Sequence, residues 1–220
     1  MKNLTLIGII ASLGIVTTVC EAGLFKNSVD LADLSEISLE TLGDLRDSEF
    51  EVLVAQIGLN SAKAAERGAE GAAKAAGRML ETENLDLKAA KAEVQAAKAN
   101  KDSERTRSAE TLLSEAEIDH RTAKLFLQWK EGERAARRID VKAAASRLDL
   151  AEAQRDLARA KLLLREGAPS ALKYDAAEMQ KSVSRRQKEF GEASRRAQAE
   201  SLKVEALKLE WLQLAGHTAA

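Results

Sequence analysis

The chain has 220 residues, of which 45% are hydrophobic and 31% charged but only 3% aromatic, with a single proline. That profile suits long helices meeting along narrow seams better than a globule around a thick core. Its 34 Lys and Arg balance 35 Asp and Glu for a net charge of −1, so no broad basic field exists to attract a phosphate backbone, and nucleic acid is not an expected partner.

The first element is an export signal over 1–22. Lys2 precedes an apolar run from Leu4 to Val19, shorter than the ~20 residues of a spanning helix and ordered like a secretory signal. Two ways of processing it compete. Cys20, Glu21 and Ala22 place small residues where a general signal peptidase reads, giving a mature start at Gly23. Alternatively Cys20, the lone cysteine, stands where bacterial lipoproteins carry their lipid-modified first residue, so the position resembles a lipobox, although Thr17 and Val19 depart from its favoured residues. An uncleaved anchor is the third option. With one cysteine there is no internal disulfide. The expected location is the periplasm, with contact to a membrane only through the signal or a lipid.

Residues 23–57 read as a solvated acidic arm. Between Gly23 and Val54 stand Asp30, Asp33, Glu36, Glu40, Asp44, Asp47, Glu49 and Glu51 against only Lys26 and Arg46. Leu31, Leu34, Leu42 and Leu45 suit at most a short amphipathic helix.

From Gly58 the alanine-rich pattern takes over, and 58–214 is expected to form an elongated antiparallel coiled-coil bundle of about three long helices, all-α in class. Ala73, Leu80, Leu87 and Val94 fall seven apart, with Ala76, Ala90 and Ala97 in a second row that Glu83 interrupts, giving a first helix to about Asn100. The stretch from Asn100 to Thr111 has weak apolar periodicity, so a turn is expected near 100–113, and Ser114 with Glu117 fits a capping box that starts the second helix. Its seam is Trp129, Ala136, Ala143, Leu150, Leu157 and Leu164, with Ile139, Ala153 and Ala160 beside it. A second turn is expected at 166–170. Gly167 suits the left-handed residue that closes a helix, and Pro169 the first turn of the next. The third seam is Ala176, Val183, Phe190, Ala197, Val204 and Trp211, with Met179, Ala193, Leu207 and Leu214, and 215–220 is a tail. Folding about Pro169 brings Trp129 and Trp211 together.

An internal repeat supports this organisation: Gly132 to Arg138 resembles Gly191 to Arg196, each leading into a Leu and Ala-rich seam. Faces at Leu125, Phe126 and Leu148 remain to be covered, which suggests a homo-oligomer.

The sequence offers little chemistry. Glu117 and His120 form an E-x-x-H, half of a carboxylate-bridged metal site, but His217, the other histidine, has no matching glutamate. Without a phosphate loop or a nucleophile paired with histidine, neither an enzyme, a cofactor nor a metal is expected.

Arg159, Leu163 and Ser170, spaced four and then seven and followed by Tyr174 and Asp175, resemble the hairpin tip of periplasmic adaptor (membrane fusion) proteins. A weaker version of its second half runs from Leu113 to Asp119. The resemblance implies that Arg159, Leu163 and Ser170 meet the periplasmic end of an outer-membrane channel. No alternating β segments flank the hairpin, so the usual base domains of an adaptor are not expected. The Gly-Ala-Pro turn, the Ala-Glu-Met-Gln segment and the Arg-Arg-Ala-Gln-Ala-Glu seam also resemble alanine-rich cell-envelope domains, often lipoproteins, which implies envelope proteins as partners. The function expected from the whole is structural spacing or protein contact in the envelope, with adaptor-like docking as the alternative.

Overall fold

The computed structural model describes residues 28–218. A short 3-10 turn, Asp33–Glu36, leads through the one-turn helix α1 (Leu39–Leu42) and a second turn, Gly43–Leu45, into α2 (Arg46–Ala99). Then come α3 (Ser103–Arg165), a 3-10 turn at Pro169–Lys173, and α4 (Ala176–Thr218). The export signal, Cys20 and the start of the acidic arm lie outside the described residues.

The fold is all-α, and α3 is its axis: α2 and α4 each pack along it. Cross-pairs fix both directions as antiparallel. Between α2 and α3, Lys98 meets Glu110 at one end and Glu66 meets Arg138 farther along. Between α3 and α4, Asp149 meets Arg186 while Trp129 meets Trp211. With 63 residues, α3 spans about 95 Å.

The α2 seam begins well before Ala73 and reaches back just past Gly58. Ala55, Leu59 and Ala69 are buried along with Ala73, Ala76, Val94 and Ala97, and the two rows of seven extend back unbroken to Ala55 and Leu59. Ala62 and Glu66 occupy the earlier steps, residues too small or too polar to announce a seam. Glu83 is half-buried in its row.

The first turn is tighter than the sequence suggests, comprising only Asn100, Lys101 and Asp102. Asp102 caps α3 by accepting the Arg105 N–H at 3.0 Å, so the helix starts before the Ser114 and Glu117 pair, which lies in its interior. The first α3 residues looked aperiodic because their α2-facing positions are the small Thr106 and Ala109. Lys101 takes the left-handed conformation, φ 54°, and its N–H reaches Lys98 O at 3.2 Å. A side chain there is held against its preference, so Lys101→Gly is expected to stabilise the protein by about 0.5–1 kcal/mol in urea unfolding.

The second turn falls where expected. Gly167, φ 67°, closes α3, with its N–H on Leu164 O (3.2 Å) and the Ala168 N–H on Leu163 O (3.0 Å), a Schellman motif. Pro169, however, opens the 3-10 turn rather than α4. The cap of α4 is Asp175, whose carboxylate accepts the N–H groups of Ala177 and Glu178 at 2.9 and 3.0 Å. At its other end α4 continues through Thr218, so the helix includes part of the expected tail.

Trp129 and Trp211 do meet, stacked with ring centroids 5.1 Å apart. Phe126 joins them at 5.6 and 5.3 Å, so it packs inside the α3–α4 pair rather than leaving a face to cover. A Cβ on Gly132 would lie 2.9 Å from Leu207 Cδ1, whereas Gly191 has open space around it. The two copies of the internal repeat therefore occupy different environments. Leu164 departs from its seam and is 47% exposed.

Because the helices run antiparallel, the end of α4, seven residues past Trp211, lies opposite about residue 122 of α3. Beyond it, among the described residues, α3 packs against α2 alone. This two-helix prong, about 28 Å long, ends at Asn100 to Asp102.

Candidate functional site at the clasped turn

The hydrophobic cluster of buried residues lies at the opposite end from the prong. Residues 28–45, part of the expected solvated arm, fold across the Gly167 to Tyr174 turn. Val29, Leu34, Ile37 and Leu45 bury against Leu157, Ala160, Leu162, Leu163, Ala168, Ala171, Met179 and Val183. An alanine seam is thin, and these larger side chains supply the area it lacks, at about 25 cal/mol per Å² of apolar surface.

The acidic residues that suggested a solvated arm hold it in place. Asp33 meets Lys173 at 2.8 Å and accepts the Tyr174 hydroxyl, which itself accepts the Asp30 N–H at 3.1 Å. Glu36 accepts both the N–H and the hydroxyl of Ser170, at 3.3 and 2.9 Å. Asp44 pairs with Arg165 at 2.7 Å. One turn into α2, Glu49 accepts from Arg159 Nε at 2.9 Å. We call residues 28–45 the clasp.

Arg159, Leu163 and Ser170 are thus brought to one end of the molecule, but inside it. They are 7%, 0% and 2% exposed. The side chains expected at an outward docking tip are covered: the clasp lies over Leu163 and Ser170, and Glu49 of α2 takes Arg159. Arg159 also lies 3.6 Å from Asp156, which Arg155 holds at 3.0 Å. The signal for this arrangement was present in the apolar positions of the acidic stretch and in the cations of the turn, which are complementary, but neither is periodic.

Two groups where the clasp meets the turn are shifted in opposite directions. Hydrogen bonds from Lys173 and Tyr174 hold the Asp33 carboxyl below its ordinary value near 3.8. Burial, and then the bond to Asp33, push the Tyr174 phenol above 10. A carboxylate with a depressed folded value stabilises the fold above its unfolded value, and that contribution is lost as pH falls through the folded one. Tyr174 is the chain's single tyrosine, which makes its titration readable by ultraviolet absorbance. It is expected to ionise above the ordinary value, and Asp33→Asn to bring it closer to that value. An ordinary titration in the unaltered protein would mean that the clasp is open.

Elsewhere the described residues offer little for catalysis. Glu117 is exposed and His120 half-buried, and among the described residues no group of three or more His, Cys, Asp or Glu comes together. The side chain of His217 is not among those described. An open groove beside the first turn is lined by Lys98, Lys101, Asp102, Thr106 and Glu110, among others. No described helix is long and apolar enough to cross a membrane. Comparison with protein-family models, with curated proteins and with solved structures finds no match to the chain.

Proposed function

We propose that this chain is a non-enzymatic protein of the cell envelope, exported to the periplasm, whose helical rod serves as a spacer or as a surface for other proteins. The observation that carries the reading is the form of the rod: an axis of about 95 Å, packed firmly at one end and reduced to two helices at the other. Exposed apolar stripes add to it. Phe50, Leu53 and Ile57 lie three and four apart on α2, and Leu202 and Leu209 lie one heptad apart on α4, with exposures of 48–68%. Such stripes are of the kind that protein partners or further copies of the chain cover.

Cell fractionation with small-angle scattering tests the reading. Recovery with the envelope, a maximum dimension near that of α3, and association of the purified protein into oligomers are expected. Recovery in the cytoplasm, or a monomeric globular particle, contradicts it. Docking on an outer-membrane channel through Arg159, Leu163 and Ser170 would require the clasp and Glu49 to release them first.

A further inference from the structure

We infer that the clasped end rests against a zwitterionic lipid surface, with Leu31, Leu39 and Leu172 in its interfacial layer. The three are 68%, 88% and 93% exposed, although their neighbours Val29, Leu34, Ile37 and Ala171 are buried. Leu31 and Leu39 belong to the clasp, and Leu172 to the turn beneath it. Single exposed leucines are ordinary on a protein surface. Here three occupy the same end of a rod, and two of them are almost fully solvated.

Connectivity identifies what lies nearby. The described chain enters at this end, where the Asp30 N–H bonds Tyr174. Only residues 20–27 separate it from the apolar run Leu4 to Val19, and they reach at most about 28 Å. The inference rests on the envelope reading in its anchored form, with either the apolar run or a lipid on Cys20 in the bilayer. Such a tether holds the leucines close to the headgroups, so weak insertion by each becomes an intramolecular event.

Charge selects the lipid. Residues 28–45 contain Asp30, Asp33, Glu36, Glu40 and Asp44 and no Lys or Arg. Lys173 and Arg165 answer two of these carboxylates, and the remainder would be repelled by an anionic leaflet. Headgroups bearing an ammonium, as in phosphatidylethanolamine and phosphatidylcholine, meet no such repulsion. The prong, with Lys101 at its tip, would then stand off the membrane by the length of the rod.

The experiment uses the full chain in vesicles of phosphatidylethanolamine and phosphatidylcholine, with a diazirine-bearing residue in place of Leu39, Leu172 or, on the prong, Leu85. All three side chains are largely exposed, so the fold is retained, which circular dichroism verifies. After illumination, phospholipid adducts should form severalfold more often at 39 and 172 than at 85. Equal adduct yields at the three sites, or crosslinks at 39 and 172 to protein instead of lipid, would overturn the inference while leaving the envelope reading standing. A full chain that does not stay with the vesicles at all would overturn the inference together with the anchored form of the envelope reading, while cell fractionation still decides export itself.

Discussion

Replacing Leu163 by alanine is expected to cost about 2–5 kcal/mol, because a buried leucine loses its transfer energy and leaves a cavity that its surroundings fill only in part. Leu163 is the largest fully buried side chain among the described residues, at 0% exposure. Its site is closed by the turn on one side and the clasp on the other, with little freedom to collapse. For a chain of this size the loss corresponds to a fall in Tm of roughly 5–15 °C. Leu164→Ala, one residue on and 47% exposed, should cost less than about 1 kcal/mol. Thermal or urea unfolding of the two variants reads the register directly. The heptad that runs through Leu150 and Leu157 points to Leu164, and comparable losses for both variants would contradict the buried position of Leu163.

Arg159→Met should destabilise the protein by about 1–3 kcal/mol, since it removes the buried guanidinium that bonds Glu49 and leaves the buried Asp156 with Arg155 alone. Arg159 bonds Glu49 and lies 3.6 Å from Asp156, which is itself only 7% exposed. The methionine keeps most of the stem's packing, so the loss reports the charge. Its pH dependence has a definite sign. Burial raises the Asp156 carboxyl above its ordinary value near 3.8, and its arginine neighbours only partly offset this. A carboxyl with a raised folded value binds its proton more readily folded than unfolded, so its contribution to stability grows as pH falls through the raised value towards 3.8. Without Arg159 the value rises further, and the deficit of the variant should shrink on acidification over that interval. A deficit that is constant or grows over the interval would show that Asp156 is not the stranded charge.

The clasp and the cluster behave oppositely towards acid, which separates them experimentally. Asp33, held low by Lys173 and Tyr174, keeps its stabilising contribution until pH falls below the ordinary carboxylate range. Mild acid should therefore relieve Arg159→Met before it loosens the clasp.

Helix class and the second turn were legible because periodicity and turn chemistry are local. A seven-residue spacing places Trp129 and Trp211 on facing seams, and Gly167 supplies the one conformation that closes α3. The α2 seam before Ala73 was hidden because Ala62 and Glu66 carry no apolar signal, and the α2-facing side of α3 because Thr106 and Ala109 are small. The clasp was illegible for another reason. Its acidic residues look solvated until their partners are known, and those partners, Ser170, Lys173 and Tyr174, lie more than 130 positions away. Arg159, Leu163 and Ser170 lie at one end of the molecule and are buried there, and spacing along a helix does not say whether a third segment covers them.

The proline turn is the clasped base of the rod and the Asn100 to Asp102 turn its tip. Amide hydrogen exchange on the folded full-length protein compares the two directly. The amides of Ala168, Ser170, Ala171 and Tyr174, bonded to Leu163, Glu36, Ala168 and Ala171 respectively, are expected to exchange slowly, while those of Lys101 and Asp102 exchange quickly as the two-helix prong frays. Fast exchange at the proline turn together with protection at Lys101 and Asp102 would contradict it.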